Sequence, residues 1–130
     1  MVQVEPLRGV LAPVVTPFRR DLSPDPQRLV RHCKWLLAHG CAGLAVFGTN
    51  SEANSMGIEE RMSLLETLLE AGIPATALMP GTGCCALSDS VTLTVHAVKF
   101  GCAGVLMLPP FYYGSSSNSV GRKWSFVAQS

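Results

Sequence analysis

Apolar residues along this 130-residue chain alternate between two kinds of segment. The first kind is short and uninterrupted: Val10 to Val15, Leu44 to Phe47, Thr76 to Met79 and Val105 to Leu108. Runs without in/out alternation are expected of parallel strands covered on both faces. The second kind is longer and spaced as one face of a helix. Leu29, Cys33, Leu36 and Leu37 form one such stripe, and Ile58, Met62, Leu65 and Leu69 a second. Leu87, Val91, Val95 and Val98 form a third, predicting a helix from about Ser88 to Phe100. Polar punctuation agrees. Asp25-Pro26 reads as an N-cap with proline in the first turn. The second helix is expected to start near Ser55, with Glu59 and Glu60 at its positive end. Gly40 and Gly72 read as the residues that close the first two helices.

The units repeat. Gly40-Cys41-Ala42-Gly43 before one strand recurs as Gly101-Cys102-Ala103-Gly104 before another, 61 positions on, with a weaker copy at Ala71-Gly72-Ile73-Pro74. That offset is twice the ~30 residues of one strand–helix unit. The turns entering the strands are tight and glycine-rich, whereas the loops leaving them carry Thr, Asn, Ser, Glu and Tyr. Chemistry is therefore expected at the carboxyl ends of the strands of an α/β fold.

Composition narrows the classes. At 48% hydrophobic the chain buries one core and reads as one domain or part of one. Ten basic residues against nine acidic leave no electrostatic footprint for nucleic acid. The apolar runs are too short to span a membrane. The first residues have neither a basic nor an apolar leader region, so a secretory signal is not expected. Five cysteines without a C-x-x-C pair suit a reducing, cytoplasmic setting, with Cys33, Cys41 and Cys102 as packing residues. His32, His39 and His96 lack zinc-ligand spacing to them. No cofactor is expected.

Three loops carry candidate chemistry. Gly48-Thr49-Asn50-Ser51-Glu52 follows a strand, where successive amides form a nest for a carboxylate. The Thr49 hydroxyl beside it both accepts and donates a proton. The alternative is that Thr49, Asn50 and Ser51 only satisfy turn and capping amides. Pro109-Pro110-Phe111-Tyr112-Tyr113 is an aromatic turn that extends a proton relay or forms an oligomer contact. Gly81-Thr82-Gly83-Cys84-Cys85-Ala86 formally matches a dinucleotide fingerprint. It follows the third strand instead of the first, and no acidic residue ends the next strand to hold a ribose. Glycines that let backbones approach explain it better. A small open-sheet nucleotide-binding protein using Gly81–Ala86 is the alternative function.

Val15-Thr16-Pro17-Phe18, Gly48-Thr49-Asn50-Ser51-Glu52, Gly81-Thr82-Gly83 and Pro110-Phe111-Tyr112-Tyr113, in this order and spacing, resemble the dihydrodipicolinate synthase / N-acetylneuraminate lyase family. The resemblance covers roughly residues 7–114 and implies the first half of a (β/α)8 barrel, with four parallel strands and three helices. It implies Schiff-base aldol chemistry on pyruvate or a related 2-oxo acid, in an enzyme that is a homo-oligomer when intact. Gly48, Thr49 and Asn50 are then the carboxylate-binding residues, and Thr49 and Tyr112 belong to the proton relay. Asn50 and Ser51 depart from the threonine and glycine usual in that family, which bears on the aldehyde partner. The family's imine-forming lysine lies on later strands. Lys34 and Lys99 sit in predicted helices and Lys123 in the tail, so the chain is expected to be inactive alone. Residues 1–114 are thus expected to form the half-barrel, and the serine-rich residues 115–130 to be a disordered tail unlike the family. Its outer strands, unpaired, are expected to favour self-association.

Overall fold

A computed structural model of the chain describes residues 5–111. Tyr112, Lys123 and the serine-rich segment lie outside them. β1 (Leu11–Pro13) pairs in parallel with β2 (Gly43–Ala45), Leu11 opposite Gly43 and Pro13 opposite Ala45. Three helices alternate with the sheet positions: α1 (Pro26–Ala38), α2 (Ile58–Glu70) and α3 (Leu87–Lys99).

The third and fourth expected strands are present as single parallel bridges, Leu44 to Leu78 and Gly81 to Leu106. Ala75–Ala77, expected as extended, is instead a 3-10 turn closed by Ala77 N–H to Pro74 O. Beyond it the backbone rejoins the sheet, Met79 N–H donating to Leu44 O and Gly81 N–H to Val46 O. Thr82 N–H and Leu106 N–H then donate to Leu106 O and Pro80 O, so the four positions lie side by side in chain order. This is the parallel α/β arrangement that the pattern predicts and the incomplete barrel that the resemblance implies.

Local chemistry sets the helix ends. The Asp25 carboxylate caps α1 by accepting from Arg28 N–H, with Pro26 in the first turn. All three helices close with a glycine in the left-handed region: Gly40, Gly72 and Gly101. After each, an amide reaches back to a carbonyl five residues earlier: Cys41 to Leu36, Ile73 to Leu68, Cys102 to Ala97. The sequence repeat at 40–43 and 101–104 is thus one C-terminal cap used three times. α2 starts later than expected. Ala53–Ser55 forms a 3-10 turn first, and Gly57, not Ser55, precedes the helix.

Val14, Leu44, Val46 and Leu78 turn to the helices and pack with Leu29, Cys33, Leu64, Leu65 and Leu68. The inward face of α3 differs from the expected one. Ser90, Leu93 and Ala97 are buried, while Leu87, Val95 and Val98 are exposed. Ser90 and Thr94 have hydroxyl partners on the inner side, although Thr94 also donates to Ser90 O of its own helix at 2.7 Å. The Ser90 hydroxyl accepts from Cys84 N–H at 3.0 Å, and Thr94 donates to the Thr82 hydroxyl at 3.1 Å. In α2 the buried stripe is likewise Arg61, Leu64, Leu65 and Leu68, one step away from the expected one. His96 Nε2 meets Glu66 Oε1 at 2.8 Å and ties α3 to α2.

Candidate functional site

Strand ends in a parallel sheet converge on one rim, and the candidate site is found there. A cavity of about 220 Å³ opens between the segments that follow β2, the third position and the fourth. Gly48, Thr49 and Asn54 line it from one side, Gly81 and Gly83 from beneath, and Leu106, Leu108 and Phe111 from the other. At roughly 30 Å³ per water, the space suits a small acid of a few heavy atoms.

The turn after β2 is built tightly. Phe47, buried, takes a left-handed φ of 58°, and Glu52 one of 56°. Both are costly for residues with a Cβ and persist only where the surroundings hold them. Ser51 N–H and Ala53 N–H both donate to Gly48 O at 3.2 Å, and Glu52 N–H donates to Thr49 O at 3.0 Å. These bonds consume the amides of Ser51 to Ala53. Among the described residues, the amides of Gly48, Thr49 and Asn50 make no backbone hydrogen bond. Three consecutive unspent donors on a strained turn are the ingredients of an anion nest. The turn is anchored from below by the buried Ser51 hydroxyl, which donates to Val14 O.

A buried cation joins the rim together. Arg61, 3% exposed on the first turn of α2, donates through Nη2 to Gly81 O and, at 3.5 Å, to Phe47 O. Its Nη1 lies 3.4 Å from Cys84 Sγ. One guanidinium nitrogen, Nη2, thus bridges the residues that end two neighbouring strands, while Nη1 turns to Cys84. Its Nε and the Thr16 hydroxyl are the buried side-chain polar atoms without a partner among the described residues.

The structure brings Gly48 and Thr49 to the cavity; Asn50, exposed beside them, does not line it. Tyr112 lies outside the described residues, and its neighbour Phe111 lines the cavity. Arg61 and Asn54 were not singled out from sequence. The signal for Arg61 was its spacing: with Leu64, Leu65 and Leu68 it completes one buried face. The glycine loop has a structural explanation. A Cβ on Gly81 would lie 2.1 Å from Phe47 O, and one on Gly83 2.8 Å from Leu108 N. Those glycines let neighbouring strands approach, and the nucleotide-binding alternative finds no support. Lys34 and Lys99 are exposed on α1 and α3, away from the rim.

Parallel βα units with a tight turn and a cavity at the carboxyl ends of the strands define half of a parallel βα barrel. Comparison with known proteins gives the family. The model of the dihydrodipicolinate synthetase family matches residues 6–129, and the chain belongs to that family. A DapA-like lyase of Chloroflexus aurantiacus is 35% identical over 106 residues, covering 81% of this chain and 35% of its own. A 4-hydroxy-tetrahydrodipicolinate synthase of Desulforamulus reducens is 28% identical, covering 92% of this chain and 40% of its own. Dihydrodipicolinate synthase from Agrobacterium tumefaciens superposes with a TM-score of 0.88 at 28% identity, over 93% of this chain and 42% of that one. YagE, a prophage protein of that family from E. coli K12 solved with pyruvate, gives 0.82 at 26% identity, over 93% and 41%. The chain therefore spans about two-fifths of the length of such relatives. No helix among the described residues is long and apolar enough to cross a membrane.

Proposed function

We propose that this chain carries the carboxylate-binding half of a lyase site that acts on pyruvate or a related 2-oxo acid. The observation that carries the reading is the pair of unspent amides at Gly48 and Thr49 on the wall of a small-acid-sized cavity, with that of Asn50 exposed beside them. A carboxylate seated there accepts from the amides, and charge-assisted bonds of that kind are among the stronger ones available. The Thr49 hydroxyl then stands next to the substrate as a proton carrier, relaying to Tyr112. The similarity to YagE, solved with pyruvate, supports the same ligand class.

Carbon–carbon bond chemistry in such a site needs an amine that condenses with the ketone, so that the protonated imine becomes the electron sink. An amine of that kind is poised by a desolvated site or a neighbouring cation. Lys34 and Lys99 have solvent around them. The chain by itself therefore binds the acid and forms no imine.

Borohydride reduction in the presence of pyruvate, followed by intact-mass measurement, tests this. The expected result is an unchanged mass; a reduced adduct on Lys34, Lys99 or Lys123 contradicts the reading. Binding is measured alongside by calorimetric titration with pyruvate. Thr49→Val, which removes the hydroxyl and keeps the shape, is expected to weaken affinity on the order of tenfold.

A further inference from the structure

A second, much smaller cavity lies behind the rim, between α2, α3 and the third sheet position. Its volume is about 10 Å³, the room that one water molecule needs and no more. Phe47, Leu65 and Leu93 line it with apolar surface, and Arg61, Thr82 and His96 bring polar groups to it. Each of these three has hydrogen-bonding capacity left over.

Arg61 is 3% exposed, and its Nε–H has no partner among the described residues. A buried donor in that position is costly, and ordered water satisfies such groups wherever a polar cavity has room. His96 uses Nε2 on Glu66 Oε1, at 2.8 Å. An ionised carboxylate only accepts, so it fixes the proton of the neutral ring on Nε2 and leaves Nδ1 an acceptor. Among the described residues Nδ1 makes no hydrogen bond. Thr82, also buried, meets the Thr94 hydroxyl at 3.1 Å, whose single hydrogen has Ser90 O at 2.7 Å as its other acceptor. Whichever of the two that hydrogen takes, the Thr82 oxygen keeps a lone pair for one more bond.

We infer that this cavity binds a single internal water, which accepts from Arg61 Nε–H and donates to His96 Nδ1 and Thr82 Oγ1. About three bonds are the usual complement of a buried water. A purely apolar cavity stays dry; here the walls supply one donor and two acceptors, the set that a water matches. An anion would leave both acceptors facing it, and a cation would face the guanidinium. The water gives His96 a hold on the rim. It completes a chain from Glu66 through His96 to Arg61, whose Nη2 donates to Gly81 O and, at 3.5 Å, to Phe47 O. Phe47 O and Gly48 N–H belong to one peptide, so a bond to that carbonyl polarises that amide. His96, on α3, is thereby a positioning residue for Arg61 and for the Gly48 amide. None of this depends on what the rim cavity binds.

The test is magnetisation transfer from water to the Arg61 Nε–H signal of the full, isotope-labelled chain. The expected result is a rotating-frame Overhauser peak of the sign that marks a bound molecule and not proton exchange. His96→Leu and Thr82→Val each remove one acceptor and are expected to lose that peak. Thr94→Val, whose hydroxyl lies outside the cavity lining, is expected to keep it. His96→Gln offers an amide N–H to Glu66 and a carbonyl to the water. It is expected to restore the peak, and to return the Gly48 amide signal, displaced in His96→Leu, to its original position. The unaltered chain decides occupancy even where a variant fails to fold. A resolved Arg61 Nε–H signal without a water peak overturns the inference, as does a peak that survives at full height in both His96→Leu and Thr82→Val.

Discussion

At position 61 a guanidinium lies almost wholly out of water and donates to the carbonyls of Phe47 and Gly81. Removing one partner of a buried polar contact leaves the others unsatisfied, which costs more than the contact's own net worth. Arg61→Met is therefore expected to lower unfolding free energy by about 2–4 kcal/mol, measured by urea denaturation. Arg61→Lys is expected to recover part of that, since one ammonium can replace Nη2 at the two carbonyls but leaves the Nη1 contact to Cys84 unmade. A different residue sets the response to alkali. Burial pushes the Cys33 thiol up to about 12 from 9.0, and Cys102 up to about 11 for the same reason. Raised values mean that the unfolded chain loses these protons first as pH rises. The contribution is complete below pH 9.0 and is lost progressively as pH climbs toward 12. Melting temperature is expected to fall on passing above pH 9.0, and less steeply in Cys33→Ala. A melting temperature that stays flat or rises there contradicts the assignment.

Elements obey the same logic one level up. Several helix ends were legible in sequence because caps are local: Asp25-Pro26, Gly40 and Gly72 stand where the backbone needs them, whereas the start of α2 is displaced from Ser55 by a 3-10 turn. The inner face of α3 was not legible, because its outer face is as rich in valine as a buried stripe. The observed orientation buries Leu93 and Ala97 and gives the Ser90 hydroxyl the Cys84 amide, a tertiary contact with no periodic signature. Arg61 was hidden for the opposite reason: a charged helix residue is ordinarily solvated, so its position on the buried stripe goes unremarked. The third and fourth strands shrink to single bridges because their segments bend early, into a 3-10 turn at Ala75–Ala77 and prolines at 109 and 110. Two glycine substitutions separate local from tertiary demands. Gly101→Ala meets no atom within 4 Å but must adopt a φ of +77°, and is expected to cost about 1 kcal/mol. Gly81→Ala drives a methyl into Phe47 O and is expected to cost more than about 3 kcal/mol by forcing two strand ends apart. Equal effects in paired denaturation curves contradict this division.

For the molecule as a whole, four strand positions and three helices place the Gly48-Thr49 turn, Gly81 and Gly83, and the apolar Leu106, Leu108 and Phe111 at a single rim. The order of the motifs was enough to read the family, while the cavity and its unspent amides required coordinates. Loop Gly48–Glu52 left two explanations open in sequence, and the bonds now divide it: Ser51 to Ala53 are spent on the turn, Gly48 to Asn50 are not. The most direct measurement is a proton–nitrogen correlation spectrum of the chain titrated with pyruvate. The amide signals of Thr49 and Asn50 are expected to move together and saturably, with a midpoint about tenfold higher in pyruvate for Thr49→Val. Signals that stay fixed at 49 and 50 while others shift, or that respond alike to acetate and chloride, contradict a 2-oxo acid seat at this rim.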